Sequence, residues 1–209
     1  MQQIDVESIV PSTRDLLQVI ATRRKSTAIV ALLGSERPAE EALRLHELNV
    51  SAFALAEPGP ALEAAARATK TVPTLCLTPA SSRESFVTAR YYGADGVCLD
   101  AALEQGAWDR LAKGARTMRM LPVATATDAA AVAAAVKAGA RALLLRAPSA
   151  AELNALAEGA PRSMTLVAEI HGADAAALRA LRGHVDAVIV PPAVHAAPDF
   201  ADLVLELDP

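Results

Sequence analysis

Short β-branched or leucine-rich runs alternate about eight times with alanine-rich helical stretches along this chain of 209 residues. That alternation predicts an α/β fold: a small, closed (β/α)8 TIM barrel with a short N-terminal helical extension. The runs are apolar on both faces, as parallel strands covered by helices must be. A second observation is the turn phrase Gly93-Ala94-Asp95, echoed by Gly139-Ala140-Arg141 and His184-Val185-Asp186. Each stands between the end of a helix and the next strand, where equivalent turns on the amino-terminal side of a barrel recur, and generic helix termination accounts for most of the likeness. Third, 21.7 kDa suits one domain at the short end of the usual ~250-residue barrel, with no linker or low-complexity spacer.

The extension, residues 1–26, begins polar, breaks at Pro11, and offers one amphipathic helix over 13–22 that ends in Arg23, Arg24 and Lys25, cations suited to a helix C-terminus. The barrel is expected over 27–209. Its strands fall at 28–33, 51–56, 72–77, 96–99, 122–126, 142–145, 165–170 and 187–190. Helical patterns lie between them, among others at 39–48, 81–92, 128–138 and 173–181, each opened by a polar residue or proline and most closed by Gly or Asn. Ser81, Ser82, Glu84 and Ser85 can cap the second of these, and Asp128 caps the third. Cys76 and Cys98 sit inside strand runs and read as reduced core residues. Trp108, after Gly106, reads as a helix-packing residue with its indole N–H at the surface.

Hydrophobic residues make up 53% of the chain, mainly alanine, and aromatics only 3%. With net charge −4 and a pI near 5.6, no basic field exists to attract a phosphate backbone, and the aromatics are too few for base stacking. Nucleic acid is therefore not an expected partner. No apolar run reaches the ~20 residues of a membrane span, and the amino terminus lacks a basic-then-apolar leader, so the expectation is a cytoplasmic protein. No CxxC spacing or His/Cys cluster suggests a metal, and nothing calls for a cofactor. A small anionic metabolite or a protein remains as the partner, and the oligomeric state stays open.

Residues 73–100, PTLCLTPASSRESFVTARYYGADGVCLD, read as strand, loop, helix, turn, strand. They resemble the third and fourth strand units of the indole-3-glycerol-phosphate synthase family, whose pattern is roughly P-V-L-R-K-D-F followed by Y-x-x-A-R-x-x-G-A-D-A-V-L-L. Pro73, Leu75, Ala89, Arg90, Gly93, Ala94, Asp95, Val97 and Leu99 agree with it. The resemblance implies a barrel of tryptophan biosynthesis, a lyase closing an indole ring with loss of carbon dioxide. It also implies catalytic groups that this chain lacks. The family's catalytic lysine falls on Leu77, a first-strand lysine on Leu33, and the glutamate base on Thr125. The glycine-rich phosphate loop after the last strand falls on Pro191-Pro192-Ala193, where proline has no N–H to donate. In spacing the resemblance spans 28–190, but beyond 73–100 only Glu57 and Glu169 keep the family's residue types. The family's N-terminal extension helps cover the active site; this shorter one is expected to leave the top of the barrel less covered.

Polar residues at expected strand ends are Glu57, Thr78, Asp100, Thr125, Thr127, Arg146, Glu169, His171 and His195, the positions from which barrels of this class build active sites. Glu169 and His171 alternate along one extended segment, so both can face one way and act as a general acid/base pair, or stand as a rim ion pair or a cap before Asp174. Arg146 with Glu57 can hold an anionic substrate, or Arg146 can be a surface guanidinium. His195, between prolines, reads as a loop residue. Leu33, Leu77 and Leu145 are expected to make a dry barrel top. The resulting expectation is a synthase-like barrel that has lost the family reaction, a pseudoenzyme serving in binding or assembly. The alternatives are an enzyme with altered chemistry on a small anionic metabolite, or a divergent synthase.

Overall fold

The computed structural model describes residues 9–172 and 175–208. Eight parallel strands close into a ring in sequence order. They are β1 Ala28–Leu32, β2 Ala52–Leu55, β3 Thr74–Cys76, β4 Gly96–Asp100, β5 Leu121–Ala126, β6 Ala142–Arg146, β7 Thr165–Glu169 and β8 Ala187–Val190. The ring shuts where β8 pairs in parallel with β1, Ala28 opposite Ala187. The helices are α1 Leu16–Ile20, α2 Pro38–Glu47, α3 Pro60–Ala68, α4 Arg83–Tyr91, α5 Gln105–Thr117, α6 Ala129–Lys137, α7 Ala150–Glu158, α8 Ala175–Leu181, α9 Pro192–His195 and α10 Phe200–Leu207. Each expected strand is present, its ends within two residues of the expected ones and those of β8 unchanged. Of the expected helix 173–181, positions 173 and 174 lie outside the described residues, as does the polar start of the extension, residues 1–8.

Alternate residues of every strand enter two separate apolar clusters, as a period of two requires. One set, including Val30, Ala54, Leu75, Cys98, Val123, Leu144, Val167 and Ile189, fills the barrel interior. The other, including Ile29, Phe53, Cys76, Leu99, Leu143 and Val188, packs under the helices. The interior residues are slim, Ala28, Ala52, Ala54, Ala142 and Ala187 among them, and the space they leave is filled from below. Leu16 and Ile20 of α1, 2% and 1% exposed, belong to the interior cluster. A Cβ at Gly96 would run into Leu16 Cδ2, so the glycine at the foot of β4 makes room for the plug. The extension thus closes the amino-terminal end of the barrel. The expected helix over 13–22 is shorter than its pattern because Asp15 caps it, accepting the Gln18 N–H at 3.1 Å, and the chain leaves it after Ile20.

Two carboxylates tie that end together. Asp95, 1% exposed, accepts the Thr74 N–H at 2.8 Å and the Ser12 hydroxyl at 2.5 Å, and it is paired to Arg14 at 2.7 Å and Arg90 at 3.0 Å. Arg14 also donates to the carbonyls of Ala66, Thr69, Val72 and Gly93. Asp186 holds the equivalent place before β8. It accepts the Leu166 N–H at 2.9 Å and the Arg24 N–H at 3.0 Å. The repeated turn phrase therefore does more than end helices: its aspartate hydrogen-bonds the start of the preceding strand and anchors the extension. Its third copy carries Arg141, whose backbone carbonyl accepts the Thr165 N–H at 3.0 Å.

Candidate functional site: the carboxyl end of the barrel

The loops after the strands form the mouth, and the alternation within each strand decides which side chains enter it. Interior positions Cys98, Val123, Leu144 and Val167 place Asp100, Thr125, Arg146 and Glu169, two residues on, at the inner rim of four consecutive strands. Asp100 stands opposite Thr125 in the β4–β5 register, and Arg146 opposite Glu169 in β6–β7. The other half of the rim is apolar, with Leu32, Leu77 and Ile189 packed in the interior cluster.

Glu169 is engaged by Arg146: the guanidinium Nε lies 2.5 Å from the carboxylate Oε2, with the side chains 27% and 12% exposed. His171 does not share that geometry. Ile170 turns outward into the helix layer, the strand ends, and His171 is exposed in a groove with Pro148, Ser149 and Ala177, between α7 and α8. Of the alternatives for these two residues, a pairing of Glu169 with His171 is not formed and Glu169 pairs with Arg146 instead, because a pleated segment keeps its alternation only as far as the strand runs. Glu57 lies past the end of β2 and is exposed, as is Thr78, whose hydroxyl donates to the Ala56 carbonyl at 2.6 Å. Thr125 donates to the Leu99 carbonyl at 3.3 Å. Asp100 accepts the Ala102 N–H at 2.8 Å. Asp128 caps α6, accepting the Ala131 N–H at 2.8 Å, as the sequence indicated.

The expected leucine lid is corrected in two of its three members. Leu77 faces the interior, but Leu33 and Leu145 belong to the helix-facing cluster. At the first strand the inward residue is Leu32, one position earlier, and a one-residue slip exchanges the faces of a strand.

His195 is the residue that sequence reasoning undervalued. It is fully buried, not a loose loop residue. Its Nε2–H donates to the Leu32 carbonyl at 2.9 Å, and its Nδ1 accepts from the Arg44 guanidinium at 3.3 Å. Glu41 Oε1 lies 3.7 Å from Nε2, and Glu41 Oε2 accepts the Gly34 N–H at 2.8 Å. The histidine therefore fastens α9, after β8, to the end of β1 and the loop that follows. The only sequence signal for this was its place after the last strand of a ring that closes on the first, which composition cannot reveal. The Pro191-Pro192 pair forms the entry to α9, and the Val194 N–H is already donated to the Pro191 carbonyl at 2.9 Å.

Both thiols are free and buried. Burial pushes Cys76 up to about 11 and Cys98 up to about 12. They face opposite sides of the sheet, Cys76 under the helices and Cys98 in the interior. Among the described residues no group of His, Cys, Asp and Glu is arranged to hold a metal ion, and no helix is long and apolar enough to cross a membrane.

No family model and no curated protein matches the sequence. Solved structures do match the fold. A 3-hexulose-6-phosphate synthase superposes with a TM-score of 0.72 at 17% identity, over 87% of this chain and 98% of that one. A protein from Aquifex aeolicus VF5 gives 0.64 at 14% identity, over 93% and 98%. A thiamine phosphate pyrophosphorylase from Pyrococcus furiosus gives 0.60 at 19% identity, over 88% and 95%. At these identities the likeness establishes a shared small (β/α)8 barrel, and function has to be argued from the site.

Proposed function

We propose that this chain is a non-catalytic binding barrel, related in fold to enzymes named for phosphorylated metabolites and in residues 73–100 to indole-3-glycerol-phosphate synthase, but without the ring-closing reaction of that family. The observation that carries this reading is the Arg146–Glu169 pair, 2.5 Å apart at the mouth. The cation that would hold an anionic substrate and the carboxylate that would move a proton neutralise each other. Leu77 stands inward where the resemblance calls for the catalytic lysine, and Pro191 and Pro192 withhold N–H donors where a phosphate would be bound. Decarboxylative ring closure needs a positioned acid, a base and an anchored phosphate, each worth orders of magnitude in rate.

The test is direct. Incubated with 1-(2-carboxyphenylamino)-1-deoxyribulose 5-phosphate, the purified protein is expected to give no indole fluorescence above the uncatalysed rate. Fluorescence that appears with the native protein and vanishes in a heat-killed control overturns the proposal.

One observation favours a second reading, an enzyme with altered chemistry on a small anionic metabolite. Asp100, Thr125, Arg146 and Glu169 form a continuous polar arc on β4 to β7, the kind of strand-end array on which barrel enzymes build chemistry. Millimolar sugar phosphates that raise Tm by several degrees in the parent and not in Arg146→Gln would favour this reading over the first.

A further inference from the structure

The end opposite the mouth holds a cavity of about 390 Å³, within the ~300–1,000 Å³ of small-molecule pockets. Its floor is apolar, formed by Leu17, Trp108, Met120 and Pro122. Trp108 is 2% exposed and is the chain's only tryptophan, and its indole N–H donates to no described residue. The rim is cationic. Arg116 comes from the last turn of α5, Arg119 from just past it, and Arg141 from the turn before β6.

These three guanidiniums are exposed, and among the described residues none has a side-chain hydrogen bond or ion pair. That separates them from Arg14 in the same wall, which Asp95 and four carbonyls hold. Opposing charge is scarce: Asp95 is neutralised by Arg14 and Arg90, which leaves Asp15 on the rim against three cations in a chain of net charge −4. A helix C-terminus favours cations, and this accounts for Arg116. It does not account for Arg141, which lies beyond its helix, nor for the apolar floor. Arg119 stands at φ 56°, a left-handed position that glycine or asparagine adopts with less strain. Three guanidiniums without a partner among the described residues, over an apolar cavity, are what an anion with an apolar body would require.

We propose that this pocket binds a small amphipathic anion, its flat apolar body against Trp108, Met120 and Pro122 and its sulfonate, carboxylate or phosphate group at Arg116, Arg119 and Arg141. The site lies at the far end of the barrel from Arg146 and stands whatever the mouth does.

Trp108 supplies the readout. Titration with anilinonaphthalene sulfonate is expected to quench its emission saturably, with one molecule bound. N-phenylnaphthylamine, the same ring system without the sulfonate, is expected to bind about tenfold more weakly or worse, one charge-assisted contact being worth about that factor. The double variant Arg119→Gln/Arg141→Gln is expected to weaken the sulfonate about tenfold or more, and Arg146→Gln to leave it unchanged. All three arginines are exposed, so unchanged Tm is expected; should the double variant melt lower, the single Arg116→Gln takes its place with the same expectation. Absence of saturable quenching, equal binding of the uncharged analogue, undiminished binding in the arginine variants, or loss of binding in Arg146→Gln would each overturn the proposal.

Discussion

The two ends of this barrel are built from the same strands and differ in almost every other respect. At the amino-terminal end, buried Asp95 and Asp186 hold the extension in place, α1 fills the interior, and the surface carries Arg116, Arg119 and Arg141. At the carboxyl end, the strand ends, loops and first helical turns carry Glu36, Glu40, Glu41, Glu57, Asp100 and Glu104, and the inner rim holds one ion pair. Much of this polarity follows from topology. In a parallel ring every crossover helix begins at the mouth and ends at the foot, so first turns favour acids and last turns favour cations. Glu40, Glu41, Glu63, Glu84 and Glu152 occupy first turns; Arg44, Arg67, Arg90, Arg116 and Lys137 occupy last turns. Charge at either end is therefore weak evidence of a site. What separates a site from a stabilised helix end is a charged group that faces a cavity without a partner, and here the described residues show that at the foot.

The contrast between the ends breaks most readily at Asp95. Replacing it with alanine strands Arg14 and Arg90, 11% and 14% exposed, and is expected to cost about 3–5 kcal/mol, the loss typical of removing one partner from a buried ionic network. Asp186→Ala forfeits the hydrogen bonds that its carboxylate accepts from the Leu166 and Arg24 N–H groups and the Thr22 hydroxyl, with no ion-paired cation left behind, and is expected to cost only about 1–3 kcal/mol. Urea denaturation of the two variants reads both values, and equal losses would show that Asp95 has no special weight. Leu16→Ala opens a cavity inside the barrel foot and is expected to cost about 2–4 kcal/mol. A loss below about 1 kcal/mol would mean that α1 rests on the barrel without plugging it.

The fold was legible because the strands' apolar faces and the helices' alanine patterns both point to one architecture, and periodicity registers such features directly. The site was legible only where alternation is unambiguous. Thr125, Arg146 and Glu169 face inward as a period of two dictates, but Leu33 lies one residue out of phase with the inward set, and Leu145 shares its outward direction. His171 lies beyond its strand, where alternation no longer applies. The contacts of His195 with Leu32 and Arg44 span 163 and 151 residues of sequence, and no local pattern encodes a contact of that range. The repeated Asp of the turn phrase was visible, but its partners, the N–H groups at the starts of β3 and β7, exist only once the ring has formed.

Between the two ends, the thiols give a pH-dependent measure of how dry the wall is. In the unfolded chain each cysteine ionises near its ordinary 9.0, whereas burial holds Cys76 up to about 11 and Cys98 up to about 12. Above pH 9 the folded state therefore binds more protons than the unfolded one, so stability is steady below that pH and falls as pH rises towards 11 to 12. By about pH 11 the expected loss is about 2–3 kcal/mol per thiol, since each tenfold change in proton affinity between the two states is worth ~1.4 kcal/mol. Lysine and tyrosine titrate in the same range, so the reading is the difference between the parent and Cys98→Ala in Tm against pH. A shallower alkaline slope in the variant is expected; parallel slopes would mean that water reaches the interior beside Cys98.

The smallest effect is expected at the mouth. Arg146 and Glu169 are 27% and 12% exposed, so water and salt screen their attraction, and a double-mutant cycle with Arg146→Gln and Glu169→Gln is expected to return a coupling of about 1 kcal/mol or less. The same cycle on Arg14 and Asp95, whose carboxylate is fully buried, is expected to return several times more. Salt sharpens the contrast, since at about 0.1 M the Debye length is already ~10 Å. Raising the ionic strength should erode the mouth coupling and leave the buried one nearly intact. A mouth coupling as large and as salt-resistant as that at the foot would mean that Arg146 and Glu169 meet in a closed, dry cavity, and the carboxyl end would then have to be read as a sequestered site in its own right.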